Sequence, residues 1–208
     1  MSVPDRSINP RLLASAKAEF QKRGFLKAEL KTICENANIT TGAVYKRYKG
    51  KEDLFCAVVD DIAEQLDLFV KERAHIDFSS LSDAEIYQSW QMTYDTMIPL
   101  FRLLYEHRQT FALLIDKAAG TRYENFSHDY VTEMSYAYEQ FYAEAKKRGL
   151  AQTEVTREEF HVLLSSFWTC ICEPFIHDMT WEQIKEHCRI ICRFFNWSDV
   201  IMLKEGNS

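Results

Sequence analysis

Apolar positions recur at helical spacing from one end of the chain to the other. Leu12, Leu13, Ala16 and Phe20 form the first stripe. Asn9-Pro10 ahead of it offers an N-cap and a first-turn proline, and Gly24 offers a C-terminal stop. Leu30, Ile33 and Cys34 predict a short second helix, about Leu30 to Asn36, and Asn38 suits a tight left-handed turn after it. Thr40 is placed to cap a third helix, about Thr41 to Tyr48, which Gly50 breaks. A long helix from Lys51 to about Ala74 then carries Leu54, Phe55, Val58, Val59, Ile62, Leu66 and Phe69.

The pattern continues beyond residue 75. Ser82 with Glu85 forms a capping box that opens a long helix through Ile86, Trp90, Tyr94, Met97 and Phe101, with Pro99 expected to kink or interrupt it. A short helix is expected from Arg108 to Lys117, ended by Gly120, and a long one from Tyr123 to Lys147. Thr156 with Glu159 and Thr180 with Gln183 start two more, the first bent near its end by Pro174. Six Gly and four Pro in 208 residues agree with long, rarely interrupted helices. The expected fold is all-α, with about nine helices in total.

Composition adds a core and a charge split. With 47% hydrophobic and 13% aromatic residues, the chain can bury a substantial interior, which argues against disorder. There is no apolar run of about 18 residues to suggest a membrane span, and MSVPDRSINP does not read as a secretory signal. Residues 1–55 hold 11 Lys+Arg against 6 Asp+Glu, a net charge of +5. The remainder holds 14 against 25, a net charge of -11. Such a division suggests a basic module that meets nucleic acid, joined to an acidic body that does not.

The stretch from Ile39 to Lys51 concentrates that basic chemistry. It has four basic residues, no acidic ones, two tyrosines and two threonines. Lys and Arg neutralise phosphates, and the hydroxyls can reach phosphate oxygens or base edges. The tight turn before it makes the second and third helices a helix-turn-helix unit, whose third helix would enter the major groove. Val44 and Tyr48 would face inward, and Thr40, Thr41, Tyr45 and Lys46 outward.

On these residues the chain resembles the TetR/AcrR-type transcriptional regulators. "LLASAKAEFQKRGF" followed by "LKTICENANITTGAVYKRYKGKEDLF" is similar to their DNA-binding domain without gaps. The resemblance implies an N-terminal three-helix helix-turn-helix DNA-binding domain over 7–67. A helical effector-binding and dimerisation domain would follow over 75–208. It implies base or phosphate contacts at Lys31, Thr40, Thr41 and Ala43, close approach of DNA at Gly42, and phosphate contacts at Tyr45, Lys46 and Lys51. The sequence departs from the family at Ala28 and Glu29, where Thr and then Ser or Thr are usual, so the second helix is expected to lack its side-chain cap. The implied function is a cytoplasmic homodimeric regulator, a repressor of a palindromic double-stranded operator released by a small lipophilic effector, with no cofactor and no membrane.

Within the acidic body, Trp90, Tyr94, Met97, Phe101, Tyr105, Tyr123, Phe126 and Tyr130 are candidates to line an effector cavity, since such sites are mostly apolar. The last two helices carry apolar residues over a wide arc. This points to packing against a second copy through Phe160, Leu164, Phe167, Trp168, Ile171, Phe175, Ile184, Cys188, Ile191 and Phe195. Cys34, Cys56, Cys170, Cys172, Cys188 and Cys192 read as reduced, buried thiols rather than as a metal or redox site. Two other functions remain open at this point. One is a helical interaction protein without sequence-specific DNA binding. The other is a metal-dependent helical enzyme using pairs such as Glu124 with His128 or Asp129 with Glu133, though no phosphate loop, nucleophile motif or multi-ligand pattern accompanies them.

Overall fold

A computed structural model describes residues 8–201, apart from the side chains of Ile8, Arg73 and Ala74. The expected domain limits at residues 7 and 208 lie outside these residues. Among them all regular structure is helical: α1 (Ile8–Lys27), α2 (Leu30–Ala37), α3 (Thr41–Tyr45), α4 (Lys51–Ala74), a 3-10 turn (Phe78–Ser80), α5 (Asp83–Trp90), α6 (Tyr94–Glu106), α7 (Arg108–Asp116), α8 (Phe126–Lys147), α9 (Arg157–Ile176), α10 (Trp181–Phe194) and α11 (Trp197–Val200). The tally exceeds nine for two reasons: one expected helix is two, and the four-residue α11 has no stripe long enough to read.

The chain forms two compact units. The first comprises residues up to Gln65 together with His107–Phe126. Its interior is built on Leu12, Ala16 and Phe20 of α1, Ile33 of α2, Val44 of α3 and Leu54, Phe55, Val59 and Ile62 of α4, all 0% exposed. Phe20 and Phe25 both meet Phe55 edge-on, at centroid distances of 5.0 and 5.5 Å. α1 loses helical geometry at Gly24 (φ 70°, ψ 167°), the stop foreseen there. Asn38 takes the left-handed conformation (φ 53°, ψ 51°), its N–H reaching the Glu35 carbonyl and that of Ile39 reaching Cys34. This is the tight turn of the helix-turn-helix.

The second unit comprises Leu66–Glu106 and the chain from Ser127 onward. The three capping boxes at Ser82, Thr156 and Thr180 all form. The single long helix expected through Pro99 does not. The break falls at residues 91–93, and Pro99 sits inside α6. Thr93 and Thr96 explain the position: the Thr96 N–H donates to Thr93 Oγ1 (3.3 Å) and the Thr93 N–H to Thr96 Oγ1 (3.1 Å), a reciprocal pair that starts a new helix. α8 starts at Phe126, not Tyr123, because residues 121–125 form a turn tied by Thr121, whose Oγ1 accepts the Tyr123 N–H.

Candidate nucleic-acid interface and ligand cavity

α3 is short because the Val44 carbonyl receives both the Arg47 and the Tyr48 N–H (2.8 and 2.9 Å), which tightens and ends the helix before the expected Tyr48. Thr40 caps its start, Oγ1 accepting the Ala43 N–H at 3.2 Å. Five residues of helix cannot hold themselves, so burial of Val44 and packing on α2 fix α3 in place. Around that pivot Thr40, Thr41, Gly42, Tyr45 and Lys46 are exposed, Tyr45 to 60%, and Ala43 is half-buried. Tyr48, expected to face inward, is half-buried.

Lys31 and Lys51 differ from that group. Lys31 lies on the exposed side of α2, within 3.8 Å of Glu35. Lys51 is turned back into the unit. Its Nζ donates to the carbonyls of Leu26 (3.2 Å) and Ala28 (3.0 Å) and sits 4.5 Å from the centre of the Phe25 ring. Two of its three protons therefore hold the α1–α2 junction. This was invisible in the sequence, since the acceptors lie more than twenty residues away.

The α2 start shows the consequence of Ala28 and Glu29. Glu29 occupies the cap position without a side-chain bond to the helix. Glu19, 5% exposed, partly replaces it: Oε1 accepts the Glu29 N–H (3.4 Å) and faces Arg23 Nε (3.1 Å). Arg23 also lies 3.9 Å from Glu29, which moderates its negative charge.

Residues 12–58 match the family described as bacterial regulatory proteins, tetR family. The match covers the helix-turn-helix and its flanking helices, so this part of the chain is similar to the N-terminal domain of that family. Regulators of this kind bind DNA and work as dimers, and they are not enzymes. The whole-chain fold is similar to solved structures at low identity. A putative fatty acid metabolism regulator of Clostridium perfringens has TM-score 0.60 and 18% identity, over 93% of this chain and 100% of that one. NalD of Pseudomonas aeruginosa, the secondary repressor of the MexAB-OprM multidrug efflux pump, has TM-score 0.57 and 18% identity over 91% and 96%. A putative TetR-family regulator of Syntrophomonas wolfei has TM-score 0.58 and 14% identity over 98% and 100%. No helix among the described residues is long and apolar enough to cross a membrane.

The second unit holds a half-open cavity of about 620 Å³. Trp90, Met97 and Tyr130 of the expected set line it, joined by Phe69, Phe78, Tyr138, Phe141, Trp168 and Trp197. Gln88, Gln91, Thr96 and Glu72 supply polar groups. The other expected lining residues are placed elsewhere, each for a local reason. Phe101 is fully buried and stacks on Phe175. Tyr94 lies beneath Arg189, and Tyr105 packs on Trp181. Tyr123 and Phe126 belong to the first unit, where the Tyr123 hydroxyl donates to Asp60 (2.7 Å). Burial first, and that bond second, push the Tyr123 phenol up to about 12.

The expected partner-facing residues need correction. Phe160, Leu164, Phe167, Trp168, Ile171, Phe175, Ile184, Cys188, Ile191 and Phe195 are all buried within one chain, none above 7% exposed. Their stripe is consumed by the chain's own helices: Phe160 packs on Trp90 and Tyr142, Phe167 on Trp197, and α10 lies along α6. The apolar residues left exposed on α9 and α10 are Val162 (62%), Ile176 (38%), Ile190 (57%) and Phe194 (77%).

Glu124 and His128 do not share a helix, since Glu124 lies in the turn before α8 and accepts the Gly120 N–H. His128 instead meets His161 of α9, ring centres 5.6 Å apart. The Cys188 thiol is pushed up to about 12, by burial above all and then by the neighbouring Cys192, which keeps it protonated.

Proposed function

We propose that this chain is a homodimeric repressor whose two α3 helices read half-sites of a palindromic operator about one helical turn apart. The observation that carries this reading is the division of α3 into one buried pivot, Val44, and an exposed surface of hydroxyl, aromatic and basic groups. Thr40, Thr41, Ala43 and Lys31 would meet bases or nearby phosphates, and Tyr45 and Lys46 would hold phosphate. Lys51 would offer phosphate its one remaining proton while bracing the α1–α2 junction. Gly42 fits the scheme for a steric reason. A Cβ built there meets nothing closer than Thr40 Oγ1 at 3.9 Å, so the protein itself does not require glycine at that place. A surface that DNA approaches closely does.

The second copy would dock on Val162, Ile190 and Phe194, which lie on the outward side of the two helices that related regulators pair. The cavity would hold a small lipophilic effector. Its volume and aromatic lining support that chemistry. An effector acts by binding one of two conformations better than the other, with the disfavoured one holding DNA. For this mechanism we take 7–67 as the DNA-binding domain and 75–208 as the effector-binding and dimerisation domain, with His107–Phe126 of the latter packed in the first compact unit.

Selection of binding sites from random duplex DNA tests the proposal. Enrichment of an inverted repeat with half-sites about one turn apart is expected. Recovery of no motif would favour a helical interaction protein that does not read sequence. A thermal-shift screen with anionic, neutral and cationic lipophiles would then define the effector, since a ligand of the folded state raises its melting temperature.

A further inference from the structure

The connector between α4 and α5 forms part of the cavity wall, contributing Ile76, Phe78 and Leu81 to the lining. Its shape comes from local bonds. Asp77 Oδ1 accepts from the Ser79 N–H (3.1 Å) and hydroxyl (2.6 Å), and the Ser80 hydroxyl donates to the Asp77 carbonyl (2.7 Å). Bonds of this kind set a turn without attaching it to the body.

Two contacts attach it to α8. Phe78 stacks on Phe141, ring centres 4.6 Å apart and planes 24° from parallel. The second is Arg148, whose guanidinium uses all five of its N–H groups. Nε donates to Glu144 Oε1 (2.8 Å). Nη1 donates to the Leu81 carbonyl (2.6 Å) and to Asp83 Oδ1 (3.1 Å). Nη2 donates to the carbonyls of Phe78 (3.2 Å) and Ser79 (3.1 Å). Arg148 is itself rigidly placed at the α8 terminus. Gly149 follows it in the left-handed conformation (φ 70°), and Leu150 N–H returns to the Ala145 carbonyl at 2.9 Å.

We propose that the segment 77–83 is the gate of the cavity and that Arg148 is the positioning residue that sets how often it opens. This rests on the cavity being the effector site. Arg148 does not line the cavity; it acts through Phe78 and Leu81, whose carbonyls it holds. Lifting the segment strips at least three carbonyl acceptors from a single planar fork. A lysine cannot replace that fork, because its three donors radiate from one nitrogen and cannot span both sides of the turn.

The test uses full-length protein and two readouts. Hydrogen exchange by mass spectrometry follows residues 77–83, and stopped-flow fluorescence follows uptake and release of the uncharged dye N-phenyl-1-naphthylamine. In Arg148→Met, exchange of the segment should speed up at least tenfold. Dye entry and exit should both accelerate severalfold, while equilibrium affinity changes less than either rate and α9 and α10 exchange as in the native protein. Arg148→Lys should resemble the methionine variant, and it carries the same expectations if the latter does not fold. Native exchange rates in both variants would overturn the role of Arg148. Faster exchange with unchanged dye kinetics would overturn the gate. A dye that fails to bind the native protein would overturn the cavity reading and the gate with it, while the exchange data still report whether Arg148 holds the segment.

Discussion

α3 exposes its working residues to solvent, whereas the cavity body builds its working residues into its own core. In α3 only Val44 belongs to the core; Thr41, Tyr45 and Lys46 around it are exposed, and Thr40 serves the fold only as the helix cap. In the body the lining is the core. Trp90 is 2% exposed, stacks on Phe141 at 5.1 Å and also lines the cavity. Recognition and stability are therefore separable in α3 and merged around the cavity. Substitutions in α3 can alter DNA affinity at little cost to folding, whereas substitutions in the lining register first as lost stability.

The strongest way to break this contrast is Trp90→Ala. Removing a buried indole is expected to destabilise the body by about 3–5 kcal/mol. Denaturant titration followed by circular dichroism measures it. A loss under about 1 kcal/mol, the range of volume-conserving core changes, would mean that the body tolerates cavity changes as freely as α3 tolerates surface ones.

Phe194→Asp addresses the exposed side of the body. At 77% exposure the ring contributes little to the monomer, so folding should be nearly unchanged. Dimerisation should weaken by roughly 2–4 kcal/mol if Phe194 is an interface anchor. Sedimentation velocity across a concentration series decides it. An unchanged dimer would move the interface away from this face.

Local signals explain what the sequence revealed. Ser82–Glu85, Thr156–Glu159 and Thr180–Gln183 are capping boxes closed within three residues, and each reads correctly. Asn38 and Gly24 act through their own backbone angles. The misreadings involve long-range choices. Periodicity marked Leu164 and Ile184 as apolar, yet it cannot say whether a stripe meets the same chain or a copy. Tyr94, Phe101 and Tyr105 have the residue types of a binding site, but Arg189, Phe175 and Trp181 take them up. Lys51 was legible as a cation at a helix start, and its two carbonyl partners were not. Pro99 drew notice to the wrong turn, while the quieter Thr93–Thr96 pair set the break.

Lys46→Ala sharpens the contrast from the other side. Lys46 is exposed and makes no ion pair among the described residues, so thermal stability should stay within about 0.5 kcal/mol of native. Operator affinity should fall across all sequences, and the slope of log K against log salt should shrink by about 1. Fluorescence anisotropy at several salt concentrations gives the slope, and an unaltered value removes Lys46 from the phosphate contacts.

Gly42→Ala is the finest test, because it sets the two properties against each other at one atom. Gly42 has no positive φ, and a Cβ there meets only Thr40 Oγ1 at 3.9 Å, so alanine fits the isolated protein. Replacing a helical glycine lowers the entropy of the unfolded chain, which should stabilise the first unit by about 0.4–1 kcal/mol. If DNA packs against this position, the same methyl must weaken operator binding. A more stable protein that binds less tightly would show that glycine is kept there for the partner and not for the fold. Equal affinity would place the closest approach of DNA elsewhere on α3, leaving Thr41 and Tyr45 as the residues to examine next.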